Sequence, residues 1–572
     1  MKKLLYIILI IHAFFFEMQL SHGESYYVSK DTCASDSSDG IFPDCSSGTG
    51  HGPFATIQHA ADIVSPGDTV FIRQGTYDEK IDINVFGTSG HPITFINFPN
   101  ETPVIDWSGT VGGYHALIEM RGSPQFITIS GLTIQNSEES GILAYGNTQY
   151  SCQNITISDV TVLNSGDAAI YFENCSNCSF LNCLTNESGA SGVFVSHAMN
   201  ILIDGNTVIN ARNTISGHDE FISVANVNQY EVKYNEIYYE NITGYFGALG
   251  IDAKQGSSNG AIHHNFVHDI TKDGGIYIDA YDNSSPGSIN NQVFNNKVEN
   301  CLTGISVGTE EGGTIDGLDI FNNLIIEPKK AGIQLHDAGN NGTAGVRRNV
   351  RIYNNTIYST IGGGWKCGIL LNVFTNDTAH LSNVFIENNI VRYHRLQGSS
   401  DGYGQICGSP DIINNQIAMN IQVNNNLTTG IYYGTDALVT SSELVSNPFF
   451  TDSTNNDFHL QSTSPAIDAG IDPDYSDIAF DYDSVNRPLL SSFDLGAYEF
   501  GIYWNGKTNN NWFNASNWSN NQVPVLTDSI TIPDSSFFTN YPVINDSTQI
   551  KRIYLNGNCQ LLITNGAKLI IY

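Results

Sequence analysis

Between about residue 120 and residue 430 one pattern of apolar and polar positions recurs: a short strand opening on Gly-Ile, a loop, then a second short strand closing on Asn. The first strand reads Gly141-Ile-Leu-Ala, Ala169-Ile-Tyr-Phe, Gly192-Val-Phe-Val, Phe221-Ile-Ser-Val, Gly250-Ile-Asp-Ala, Gly275-Ile-Tyr-Ile, Gly304-Ile-Ser-Val, Gly332-Ile-Gln-Leu and Gly368-Ile-Leu-Leu, mostly 23 to 29 residues apart. The second includes Ile201-Leu-Ile-Asp-Gly-Asn, Tyr230-Glu-Val-Lys-Tyr-Asn, Gln292-Val-Phe-Asn-Asn and Phe385-Ile-Glu-Asn-Asn. It puts Asn206, Asn235, Asn265, Asn296, Asn323, Asn355 and Asn389 at one place in the repeat. Short alternating strands rich in β-branched residues, separated by turn residues at a fixed period, mark a β-solenoid. Asn tolerates left-handed backbone and bonds locally at tight turns, so these residues are expected to sit at a turn and stack into a ladder. A propeller blade needs a longer repeat of four strands, leucine-rich repeats need Leu at set offsets, and no helical period runs through the region.

The flanks read differently. Phe54 to Ile63 predicts one amphipathic helix with Phe54, Ile57, Ala60 and Ala61 on a face, suited to covering the open edge of the first coil. Met1 to about Gly23 carries Lys2 and Lys3, an apolar run from Leu4 to Phe16 and a polar exit, the outline of an export signal. That run is too short for a comfortable membrane span, and no later stretch predicts one. The expected organisation is a signal over residues 1–23, a cap with first coils over 24–120, repeats over 121–430, a closing segment over 431–500 and a separate β module over 501–572. A strand-like Leu569-Ile-Ile-Tyr ends the chain without a recognisable sorting tail, which reads as truncation.

The repeats resemble the right-handed parallel β-helix family that includes pectate lyases and other polysaccharide-active enzymes. The entry segment strengthens this: Gly52-Pro-Phe-Ala-Thr-Ile-Gln-His-Ala-Ala-Asp, then Pro66-Gly-Asp-Thr-Val-Phe-Ile-Arg-Gln-Gly-Thr-Tyr, then His91-Pro-Ile-Thr-Phe-Ile, is similar to members akin to polysaccharide lyase family 9. Asn447-Pro-Phe-Phe, Ser464-Pro-Ala-Ile-Asp-Ala-Gly and Asp494-Leu-Gly-Ala-Tyr-Glu resemble a closing segment found after such helices in large bacterial surface proteins. Trp504-Asn-Gly, Ser516-Asn-Trp518 and Asp528-Ser-Ile-Thr-Ile-Pro resemble a module of secreted Bacteroidetes-type proteins. The resemblance implies an all-β right-handed parallel β-helix and an extended glycan as partner.

Composition narrows the partners. A net charge of −33 with 24 Lys plus Arg excludes nucleic acid as a main partner, since phosphate binding needs clustered cations. An acidic exterior suits Ca²⁺ or neutral glycans; no organic cofactor is indicated, and a monomer is expected. Of ten cysteines, Cys33 and Cys45 bracket a short loop that a bridge could staple. Cys175, Cys178 and Cys183 lack a second ligand pair at finger spacing and are read as buried thiols.

Aligning the coils on the inward Ile sets Ser223, Asp252, Tyr277, Ser306 and Gln334 in one outward column and Ala225, Lys254, Asp279, Gly308 and His336 in the next. His218, Asp219 and Glu220 lie just before the strand; Asp282, Glu310, Glu311 and Asp337 lie just after it. Coils stack about 4.8 Å apart, so five rungs make a patch of roughly 20 Å, the length of several sugar units. Glu220, Tyr277, Tyr281 and His336 are candidates for sugar binding, the tyrosines as aromatic surface.

Two reactions fit this set. In a lyase, Lys254 takes the proton beside a uronate carboxylate, provided its pKa is lowered, while Asp279, Asp282, Glu310 and Glu311 carry Ca²⁺. In a glycoside hydrolase, Asp279 and Glu310 act as paired carboxylates about 8 Å apart, the spacing of inverting enzymes, and Lys254 orients Asp279. Asp252 joins the catalytic candidates. β-Elimination on a uronate-containing glycan is the first expectation, hydrolysis the second, and a non-catalytic glycan-binding or adhesive surface protein the third. His263, His264 and His268 lie around the Asn265 turn and are read as structural.

Overall fold

A computed structural model describes residues 23–48, 50–107, 115–149, 151–212, 220–240, 247–281, 287–309, 311–336, 345–360, 367–373, 380–393, 405–429, 438, 440–473, 478–489, 491–533, 540–555 and 559–572. The candidate export signal and residues His218, Asp219, Asp282, Glu310 and Asp337 therefore lie outside the described residues. Two compact units divide the chain, Met1–Leu202 and Ile203–Tyr572.

In the first unit the strands stack in parallel, coil upon coil. Ser25–Val28 pairs with Thr69–Ile72, which pairs with Ile93–Asn97, then Gln125–Ser130, Cys152–Ser158 and Cys175–Leu181. Thr76–Tyr77, Val104–Asp106, Thr133–Gln135, Thr161–Leu163 and Leu184–Asn186 form another parallel face. Helix α1, Ile57–Ile63, starts three residues later than expected, because the Thr56 side chain caps it by accepting from the His59 N–H. Phe54 instead bridges to Val28 in the extended backbone before the helix. Ile57, Ala60 and Ala61 are buried as expected, and Gln58 exchanges two hydrogen bonds with the Asp82 backbone, at 2.7 and 3.1 Å. The helix thus covers a strand edge that would otherwise be open. Cys33 and Cys45 are bridged, and Cys175, Cys178 and Cys183 are buried thiols.

The second unit repeats the plan. Strands β1 (Glu220–Lys233), β2 (Leu249–Lys254), β3 (Gly274–Asp279), β4 (Ser288–Phe294), β5 (Thr303–Gly308), β6 (Thr314–Phe321), β7 (Ala331–His336), β8 (Val346–Tyr353) and β9 (Leu381–Glu387) supply two walls of its coils. In β1, β2, β3, β5 and β7 the inward residues Ile222, Ile251, Ile276, Ile305 and Ile333 pair in sequence and are fully buried. Each such side chain contributes about 2–3 kcal/mol by leaving water. The Gly before the Ile has a steric cause: a Cβ at Gly275 would stand 2.4 Å from Val298 Cγ1, and one at Gly304 2.5 Å from Ile325 Cγ2, both on the facing wall.

The asparagine ladder is present but is built differently from the expectation. The left-handed residue is the one before it, Gly205, Tyr234, His264, Asn295, Asn322, Asn354 and Asn388. The ladder Asn itself turns inward and is buried. Its backbone N–H donates to the Oδ1 of the next Asn at 2.9–3.1 Å, from Asn206 through Asn389 and on to Asn426. The turn needs one left-handed residue, and the side chain that satisfies the buried backbone follows it.

In the closing segment Phe450, Phe458, Leu460, Leu495 and Tyr498 pack on the coil residues Leu324, Tyr358, Ile390 and Leu427. Trp504, Trp512 and Trp518 form a core of their own with Ile530, Ile532, Ile544 and Ile550. Among the described residues no helix is long and apolar enough to cross a membrane.

Candidate active site

The two outward columns align as the alternation requires, all within the second unit. Ser223 pairs with Asp252, Asp252 with Tyr277, Tyr277 with Ser306, and Ser306 with Gln334. Ala225 pairs with Lys254, Asp279 with Gly308, and Gly308 with His336; continuing the register between β2 and β3 sets Lys254 beside Asp279. Residues far apart in sequence thus emerge on adjacent rungs.

They do not form an open patch. Glu220, Asp252 and Asp279 are each under 5 % exposed, and Ser223, Ser306 and Gln334 are buried too. At the centre, Lys254 Nζ donates to Glu220 Oε1 and stands 3.9 Å from Asp252 Oδ2. Burial pulls the Lys254 ammonium down, but Asp252, Glu220 and Asp279 together outweigh it, so its pKa is raised. The lyase expectation required the opposite shift. Its nearest neighbours are carboxylates on its own and flanking coils, and they favour its charged form.

Tyr277 is corrected as well. It was expected to offer aromatic surface, yet it is buried and stacked on His336, with ring centroids 5.7 Å apart and planes 19° from parallel. The missing side chain at Gly308 makes this possible, since a Cβ there would come 2.1 Å from the Tyr277 hydroxyl oxygen. Tyr281 is exposed, and its carbonyl accepts from the Glu311 N–H at 2.6 Å. Gln334 Nε2 donates to Ser306 Oγ at 3.1 Å.

Of the four carboxylates assigned to Ca²⁺, Asp282 and Glu310 fall outside the described residues, and so does the expected spacing of Asp279 and Glu310. Among the described residues no group of three or more His, Cys, Asp or Glu is placed to hold a metal ion.

Arg347 was not anticipated. It is fully buried and its Nη2 donates to the carbonyl of His336, the last residue of the outward column, at 2.6 Å. Its register partners are Ile315 and Leu381, so the guanidinium stands between two apolar side chains. His263 lies flat on Phe294 at 4.7 Å, in keeping with a structural role for that cluster.

The stacked parallel coils, with charge gathered on one outward column, define a right-handed parallel β-helix protein. The chain belongs to the Pel9A-like right-handed β-helix family, whose model matches residues 42–362. A protein of Bacillus subtilis (strain 168), YwoF, itself uncharacterized, is 39% identical over 115 residues, 19% of this chain and 25% of that protein. The match thus spans about a quarter of that relative's length. Among solved structures, XylC in complex with xylose is 11% identical with a TM-score of 0.47, covering 83% of this chain and 98% of that one. Pectate lyase Pel9A is 14% identical with a TM-score of 0.40, covering 84% and 97%. Neither likeness bears on which reaction this chain performs.

Proposed function

We propose that the chain cleaves an extended polysaccharide by hydrolysis, at the step of the column where Lys254 stands beside Asp279 and stays partly exposed. The observation that carries the reading is the clamp on Lys254: a lysine whose proton is held by Glu220, Asp252 and Asp279 is a poor base, which leaves the reaction to carboxylates. Burying three carboxylates around one ammonium is costly unless they serve a site, which favours function over mere stability. In this proposal Asp279 activates water or attacks the anomeric carbon, and Lys254 is its positioning residue. The acid that protonates the leaving oxygen is Glu310, the carboxylate that the sequence repeat pairs with Asp279. Export by the Met1–Gly23 segment belongs to the proposal, as polysaccharides lie outside the cell.

β-Elimination is the second reading, favoured by the chain's membership of the Pel9A-like β-helix family. A panel of uronate and neutral polysaccharides separates the two. Hydrolysis yields reducing ends without ultraviolet-absorbing products, and activity withstands chelation. Unsaturated, absorbing products that vanish with chelator would overturn the hydrolytic reading, and no cleavage of any member would point to a binder.

A further inference from the structure

A second row of asparagines runs along an outer corner of the coils, distinct from the buried ladder. Asn259, Asn290, Asn349, Asn383 and Asn420 all hold left-handed backbone, with φ between 52° and 57°. Their side chains bond along the row: Asn290 Nδ2 donates to Asn259 Oδ1 at 3.3 Å, Asn383 to Asn349 and Asn420 to Asn383 at 3.0 Å. One place is vacant of any side chain. Gly317, at φ 77°, occupies the corner between Asn290 and Asn349, and an added Cβ would meet Asn290 Oδ1 at 2.9 Å. Deprived of its neighbour, Asn349 Nδ2 donates sideways to Asp316 Oδ1 at 2.6 Å.

The break opens a cavity of about 540 Å³, lined by Asn290, Gln292, Gly317, Asp319, Arg351 and Phe385 among others. Gln292, Asp319, Arg351 and Phe385 are register partners on β4, β6, β8 and β9, so they form one row beside the gap. Arg351 donates from Nε and Nη2 to the two Asp319 oxygens, a planar fork holding a carboxylate that is itself largely buried. Phe385, half-buried, presents the one aromatic ring of the lining.

We propose that this cavity is a binding site for a neutral sugar segment, separate from the Lys254 column. A pyranose needs an apolar face to rest on and paired donors and acceptors for adjacent hydroxyls. Phe385 supplies the first and the Asp319–Arg351 pair the second. A third hydroxyl replaces the absent amide at Gly317, reaching Asn290 Oδ1. The size lies within the range of small-ligand sites. Acidic sugars are disfavoured, because Asp319 already matches the Arg351 charge, Asp316 lies alongside, and the chain carries −33 overall.

The test is calorimetric titration of the full chain, bearing Asp279→Asn to prevent turnover, with cellohexaose, xylohexaose, maltohexaose and hexagalacturonate. At least one neutral hexasaccharide should bind, and both Gly317→Asn and Phe385→Ala should weaken it by about fivefold or more. Gly317→Asn restores the row with a residue that its neighbours show to suit the backbone, so its melting temperature should match the parent's. Should it fail to fold, Phe385→Ala decides. Failure of all three neutral ligands to bind, equal binding by parent and variants, or preference for hexagalacturonate would overturn the proposal.

Discussion

The asparagine ladder and the Lys254 column are both buried and both polar, yet they close their bonds differently. Along the ladder every coil repeats one residue, and each side chain is satisfied by the next: Asn323 donates to Asn355, Phe321 and Val293, and receives Asn296. In the Lys254 column no two coils carry the same outward residue, and Glu220 Oε2, though buried, receives no hydrogen bond among the described residues. Periodic polarity builds the coil. Polarity that breaks the period, whether a lysine among acids or a glycine in a row of asparagines, is where the proposed reaction and the proposed sugar site are placed.

Perturbing each column should separate the two roles. The largest effect is expected from Asp279→Asn, which should lower polysaccharide cleavage by a factor on the order of 10²–10⁴ with little change in melting temperature. An unchanged rate would remove Asp279 from the reaction. Next, Lys254→Met strands Glu220 and Asp252, buried at 5 % and 3 % side-chain exposure, without their cation. It should destabilise the second unit by about 3 kcal/mol in denaturant titration. A Lys254→Met and Glu220→Gln double variant should recover part of that loss. Asn323→Ala breaks the ladder and leaves several buried groups unpaired, so about 2 kcal/mol of stability should go while the pattern of cleavage products stays the same.

The smallest effect is a pH dependence in the closing segment. His459 is held by Asp457 at 2.5 Å, Asp483 at 2.8 Å and the Tyr503 hydroxyl at 2.6 Å. Burial lowers its pKa, but the two carboxylates outweigh burial and push it up to about 10 from 6.5. Its contribution is therefore complete below pH 6.5 and lost as the pH climbs through about 10. Burial, with the Asp483 charge adding, raises Asp481 to about 8, which acts in the same direction. Melting temperature should fall between about pH 6 and pH 10, and His459→Gln should flatten that slope.

Much of this was legible beforehand, for a physical reason. The inward Ile and the Gly before it recur because the interior is narrow, so the alternation that aligns Ile251 with Ile276 also aligns Asp252 with Tyr277. Burial of the outward face was not legible. Periodicity reports which way a side chain points but not what lies over it, and the Tyr277–His336 stack depends on Gly308, whose significance appears only once the rungs are in place. The raised pKa of Lys254 was legible in part, from Asp252 and Asp279 on its own and the next coil; the share of Glu220 was not, since it sits opposite Leu249 at the start of the pairing and reaches the ammonium only through its side chain. Arg347 escaped because the second strands were aligned on their terminal Asn, several residues beyond it.

Cleavage in water enriched in heavy oxygen, followed by mass spectrometry of the fragments, tests the central claim most directly. Hydrolysis through Asp279 predicts one labelled oxygen per broken linkage, and none when Asp279→Asn is used. Fragments that carry no label but are lighter than the hydrolysis products by the mass of one water would contradict it, since they arise only by elimination.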